Sequence, residues 1–134
     1  MGERLRVPVR LGLLFAAALV VLPARAQSVL EFDRWMQQID RHSQDVLRHI
    51  QRRDDAAALA DARELAALYR RMEDFYQQRG HADDAVLASF VGRDQAEQAA
   101  SALASRRYDE AYAQASALAR DCRNCHIQYK PMRP

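Results

Sequence analysis

Cys122, Arg123, Asn124, Cys125 and His126 form a C-x-x-C-H run near the end of a 134-residue chain. On a helix the two thiols lie three residues apart and His126 follows Cys122 by four, so all three side chains share one face. That is the spacing of covalent c-type haem attachment. Each thiol bonds one vinyl group, and the imidazole reaches the iron as an axial ligand. A structural disulfide, a redox dithiol and half of a zinc site would use the same residues. A zinc site normally needs a fourth ligand and a second Cys or His cluster, and the chain has just 2 Cys. A thioredoxin-like dithiol accompanies an early βαβ pattern, which is missing here. The expected cofactor is one haem c per chain, held covalently by Cys122 and Cys125 with His126 on the iron.

Residues 1–26 have the layout of a secretory signal peptide. Arg4, Arg6 and Arg10 precede an apolar run from Leu11 to Leu22, Pro23 breaks it, and Ala24-Arg25-Ala26 offers small residues for cleavage before Gln27. The run is too short to span a bilayer of roughly 30 Å as a helix; the competing reading is an uncleaved anchor. No paired arginines precede it, which favours the general secretory route. The expected location is the periplasm, with 27–134 as one mature domain. Export fits haem attachment outside the cytoplasm, and it equally fits a plain disulfide; His126 directly after Cys125 favours haem.

The whole chain carries 20 basic and 18 acidic residues, of which the leader holds four Arg and one Glu, so the mature part is formally −1. Its charge gives no ground for binding nucleic acid or, once the leader is removed, a membrane surface.

The mature chain has Gly only at 80 and 92, Pro only at 131 and 134, and few β-branched residues. This is helix composition. The spacing predicts a first helix over 29–52, with Ser28 as N-cap and Val29, Phe32, Met36, Ile39, Val46 and Ile50 on one stripe. A second is expected over 55–79, opened by Asp54-Asp55, carrying Leu59, Ala62, Leu65, Tyr69, Met72 and Tyr76, and stopped by Gly80. A third spans 84–104, with an Ala-rich stripe of Val86, Phe90, Ala99 and Leu103. A fourth spans 108–130, with Ala111, Ala115, Leu118, Cys122, Cys125 and Tyr129, and Pro131 ends it. No such helix buries its stripe alone. The fold class is therefore all-α: an antiparallel up-down-up-down four-helix bundle. The haem then lies in the core near the C-terminal end of the fourth helix. The arginine pairs 52–53, 70–71 and 106–107 read as solvated surface, with one or two available to haem propionates.

With the motif late in the last helix and Tyr129-Lys130 after it, the chain resembles the cytochrome c′ family of secreted four-helix haem proteins. Its layout is also similar to the small periplasmic four-helix b-type cytochrome, which has a late His and no cysteines. In that protein a Met early in the first helix is the second axial ligand, and the resemblance puts Met36 in that place. The chain is shorter than a typical member, with a shorter link between the second and third helices.

The sixth iron position separates two functions. Met36 lies on the inward stripe of the first helix, at the end expected to meet the haem; a thioether there raises the potential and suits electron transfer. As a core gap-filler it would leave the site vacant, with Phe32, Met36 or Ile39 merely covering the iron. His42 is six residues further on, about 9 Å of rise, and Met72 is deeper still. Met132 would have to wrap round the haem edge, and His49 and His81 read as surface residues. The favoured function is a one-electron carrier that docks transiently with redox partner proteins. The alternative is binding of small gases such as nitric oxide or carbon monoxide at a vacant face. A third is an accessory haem subunit of a larger oxidoreductase. A homodimer is compatible with all three. No catalytic triad or carboxylate pair stands out, so the chain is not read as an enzyme.

Overall fold

A computed structural model of the chain describes residues 29–129, with side chains from Leu30 to His126. The expected leader, Ser28, Lys130, Pro131 and Met132 lie outside those residues, and so do the side chains of Val29 and Tyr129. The described residues form four helices and no strand: α1 (Val29–Arg52), α2 (Asp55–Arg79), α3 (Asp83–Ala104) and α4 (Tyr108–Tyr129). The boundaries follow the expected ones to within a residue. None of these helices is long and apolar enough to cross a membrane.

The turns are short because the chain closes its own helix ends. Asp54 accepts the Ala57 N–H at 3.3 Å as the N-cap of α2, satisfying one of the donors that a helix start leaves open. Its own N–H donates to the His49 carbonyl at 3.0 Å. Gly80 ends α2 at φ 66° and donates to the Tyr76 carbonyl at 3.3 Å; the left-handed backbone is where glycine costs least. The α3–α4 turn closes with Arg107 N–H on the Ala102 carbonyl at 2.8 Å.

Pairings across the helices give their directions. Phe32 meets Phe75 and His49 meets Asp61, so α1 and α2 run antiparallel. Arg70 and Arg93 reach Glu97 and Glu73 between α2 and α3, Gln95 reaches Asp121 between α3 and α4, and Gln51 reaches Tyr112 between α1 and α4. The up-down-up-down four-helix bundle is present. Each helix packs on its chain neighbours, and α1 and α4 close the ring through the least extensive of the four walls.

The core runs through Ile39, Val46, Ile50, Ala58, Ala62, Leu65, Leu68, Met72, Ala96, Ala99, Ala102, Leu103, Ala111, Ala115 and Leu118. Three of the four expected stripes hold, with Phe32, Met36, Leu59 and Tyr76 at their half-buried margins. The α3 stripe does not. Ala99 and Leu103 are buried, whereas Val86 is half-buried and Phe90 is 46% exposed. Ala85, Ser89, Gly92 and Ala96 face the core instead. The reason is the approach of α2: a Cβ built on Gly92 would stand 2.3 Å from the Tyr69 ring. A position so close to a neighbouring aromatic ring takes a residue without a side chain, and the large apolar residues of α3 turn outward.

Candidate functional site

The antiparallel order gathers the beginning of α1, the end of α2, the start of α3 and the end of α4 at one end of the bundle. Cys122, Cys125 and His126 are there, on the last turns of α4, all half-buried. Both cysteines are free thiols. Aromatic rings fill the space beside them. Phe32 stacks on Phe75 with centroids 4.5 Å apart, and Trp35 and Tyr76 meet Phe75 edge-on at 6.3 and 5.6 Å. Such offset and edge contacts are the favoured aromatic geometries. The Arg79 guanidinium lies 4.3 Å over the Phe75 ring.

Tyr69, on α2, hydrogen-bonds Cys122 with its phenolic oxygen 2.9 Å from Sγ, and either group can donate. Burial first, and then Cys122, hold the Tyr69 phenol well above its usual pKa, so it stays protonated. Burial also pushes the Cys122 thiol up, and the Tyr69 bond opposes that rise. Cys125 is raised by burial and then by Asp84 at the start of α3; Tyr76 is raised by burial and then by Cys125. A dithiol built for exchange does the opposite and lowers a thiol pKa, because the thiolate is the nucleophile. These two thiols are held protonated in a partly apolar setting.

His126 carries the decisive atom. Its Nε2 is buried and has no hydrogen-bond partner among the described residues. Buried polar atoms are nearly always paired, so this nitrogen, like Asp55 Oδ1 and Gln95 Oε1, expects a partner that is not among the described residues; His126 is the one of the three that lies on the face of the cysteines. Two free thiols and an unpartnered imidazole nitrogen on one helical face are the donor set a c-type haem uses, and the residues fit it. Among the described residues no group of three or more His, Cys, Asp or Glu is placed to hold a bare metal ion. A haem iron needs no such cluster, since the porphyrin brings four nitrogens of its own.

No protein-family model, curated protein or solved structure matches this chain. The functional reading therefore rests on the residues and their geometry.

Met36 is half-buried on α1 and packs against the core margin. Its height follows from register. Asp40 acts electrostatically on Cys122 across the α1–α4 wall, and Gln51 reaches Tyr112 at 3.3 Å on the same wall. Continued by one turn, that antiparallel register brings Met36 level with His126. His42 is committed elsewhere: its Nδ1 is 2.8 Å from one oxygen of the buried Asp61 carboxylate, and His49 Nδ1 is 2.7 Å from the other. The reading of His49 as a surface residue is thus corrected, because it and His42 clamp α1 to α2. Exposed His81 remains at the surface. Met72 is a buried core residue.

The arginine pairs are exposed, as the sequence leads one to expect. Arg52-Arg53 and Arg106-Arg107 sit at the end of the bundle opposite the cysteines, where Arg53 stacks over Tyr108 at 3.8 Å. Arg70 bonds Glu97 at 3.2 Å. Arg79, the last residue before Gly80, lies at the site end with its guanidinium over Phe75, and Arg34 and Arg123 belong to the same end of the bundle. Tyr69 was placed on the core stripe, but its bond to Cys122 spans 53 residues and leaves no local signal.

Proposed function

We propose that the chain is an exported c-type haem protein of the cytochrome c′ kind, with haem in the bundle core at the end where α4 finishes. It works as a one-electron carrier in the periplasm. The observation that carries this reading is the orphan His126 Nε2 beside two free thiols on one face. When bound, the haem supplies an iron that cycles between ferric and ferrous states by gain or loss of one electron, with no atom transferred.

The chain's own residues do the rest. Cys122 and Cys125 would hold the group covalently, as thioethers formed by adding each S–H across one vinyl group with nothing lost. His126 would present its Nε2 to the iron. Phe32, Trp35, Phe75 and Tyr76 give flat apolar surface and exclude water. Tyr69 supports the Cys122 sulfur from inside the bundle. Arg79 is a cation placed to meet a propionate. Met36, level with His126 on the facing helix, is proposed as the sixth ligand; its soft sulfur favours the ferrous iron and raises the potential.

Intact-mass measurement of the chain made with a haem-maturation system tests the attachment. A chain beginning at Gln27 that carries one haem resistant to acid-acetone is expected. Extractable haem, or a disulfide without haem, sinks the reading. A visible spectrum with and without carbon monoxide then tests Met36. The ferrous protein is expected to be low-spin and to resist the gas, and Met36→Ala to become high-spin, take it up and lose potential. A parent protein that is high-spin and binds the gas readily would move the function to small-gas binding and demote Met36 to packing.

A further inference from the structure

The residues that α3 turns outward are not scattered. Leu87 is 62% exposed, Phe90 46% and Val91 38%. Their spacing of three and four residues puts them side by side on one helical face. Isolated apolar residues at a surface are ordinary, whereas a contiguous group rimmed by charge marks an interaction surface. The rim here is acidic: exposed Asp83 and Asp84 lie toward the start of the helix and exposed Asp94 toward its end. Arg93, whose guanidinium lies 5.0 Å over the Phe90 ring, is neutralised by Glu73 and Glu97 at 3.1 and 3.5 Å. Asp83 and Asp94 thus leave exposed acidic side chains toward both ends of an apolar centre.

Its place in the fold gives it a use. Asp84 is close enough to Cys125 and to Tyr76 to act on both electrostatically, and Leu87 follows it by one turn. The patch thus adjoins the end of the bundle that holds Cys122, Cys125 and His126.

We propose that Leu87, Phe90 and Val91, ringed by Asp83, Asp84 and Asp94, are the docking face for a basic protein partner that exchanges electrons at the site on α4. This rests on the haem reading above. Charge chooses the occupant. A two-fold contact between two copies centred on this patch would bring Asp83 and Asp84 of one against Asp94 of the other, and facing like charges oppose association. A partner with an apolar spot ringed by lysine or arginine meets the same face with attraction. The small apolar centre suits a transient redox encounter, which buries less than a stable interface. Acidic charge at the rim steers approach and raises the association rate.

The experiment titrates the isotope-labelled, haem-loaded chain with a c-type cytochrome whose haem edge is ringed by lysines, and follows backbone amide shifts. Shifts gathered on residues 83–98 are expected, with affinity roughly tenfold weaker between about 10 and about 200 mM salt. Phe90→Ser and Leu87→Ser should abolish them and leave the thermal midpoint unchanged, since both side chains are exposed. Asp83→Asn with Asp94→Asn should weaken binding and flatten its salt dependence. Shifts lying elsewhere, or insensitive to salt, overturn the proposal. So does self-association without the probe that Phe90→Ser removes, which would assign the face to a second copy. Shifts on α3 in a chain that carries no haem sink the haem reading and leave the docking face. Covalent haem with an unshifted α3 does the reverse.

Discussion

The two ends of this bundle are built from different residues. At the end holding the α1–α2 and α3–α4 turns, the interior is alanine: Ala58, Ala62, Ala102, Ala111 and Ala115 are at most 1% exposed. Small side chains let helices approach closely, and several polar groups there pair within the chain, although the buried Asp55 Oδ1 has no hydrogen-bond partner among the described residues. Tyr108 donates to Asp55 at 2.9 Å, and Asp61 takes both histidines of α1. At the other end the rings of Phe32, Trp35, Phe75 and Tyr76 pack on one another. The cysteines there are half-buried, and one imidazole nitrogen has no partner among the described residues. The first end is closed mainly by small side chains and by pairings within the chain; the second carries the free thiols and the imidazole on which the proposed haem site rests.

The largest effect should come from crowding the alanine-rich end. Ala62→Leu adds three carbons where there is no exposed surface, and overpacking a close core costs about 1–3 kcal/mol. At about 4–8 °C per kcal/mol for a domain of this size, the thermal midpoint should fall by many degrees. A midpoint that hardly moves would show slack where the alanine seam implies none.

Next comes removal of the expected guest from the other end. A bound group stabilises the state that holds it, so Cys122→Ala with Cys125→Ala should lower the midpoint by at least about 4 °C. Hydrogen exchange should localise the loss, with amides near Phe32, Phe75 and Cys122 exchanging faster and those near Ala62 and Ala111 little changed. An unchanged midpoint would falsify the contrast between the ends.

A smaller loss is expected at the clamp. Asp61→Ala leaves two imidazoles without their acceptor; both are partly exposed, so water replaces some of the loss, and about 1 kcal/mol is expected. Urea unfolding measures it. A neutral result would mean the histidines are solvated as well without Asp61.

The smallest effect is one of pH. Folding raises the Tyr69 phenol pKa through burial, so the folded chain keeps a proton that the unfolded chain releases above pH about 10. That contribution is intact below this pH and is lost as pH climbs toward the folded value. Tyr69→Phe should cost under about 1 kcal/mol at neutral pH and flatten the alkaline fall in stability. A fall just as steep in the variant would place its origin in Tyr76 or Tyr108, whose phenols are also raised.

Much of this architecture was legible in the sequence, for physical reasons. Helices are local objects, and Asp54, Gly80 and the three-four spacing announce their limits and faces. The C-x-x-C-H run is equally local, since one helix suffices to gather its side chains. The α3 stripe was misread because the large residue is normally taken as the buried one; beside Tyr69 the room was enough for Gly92 alone, and Phe90 went to the surface. The Tyr69–Cys122 bond and the double use of Asp61 depend on register between helices. No pattern within a single helix encodes that.

Asp61 works as a gauge. Alanine seams are nearly featureless, and one helix can slide along another past a succession of similar methyl groups. His42 and His49 are two marks on α1, seven residues apart, and one carboxylate reads both. Two marks fix height and rotation together, which a single contact leaves free. The measuring point lies a turn and a half from Met36, so the sulfur inherits its position from a polar clamp it never touches. Inserting one residue between Met36 and His42 should preserve the gauge yet shift everything before it by about 1.5 Å and 100°. Met36 would then no longer stand level with His126, although both would still be present.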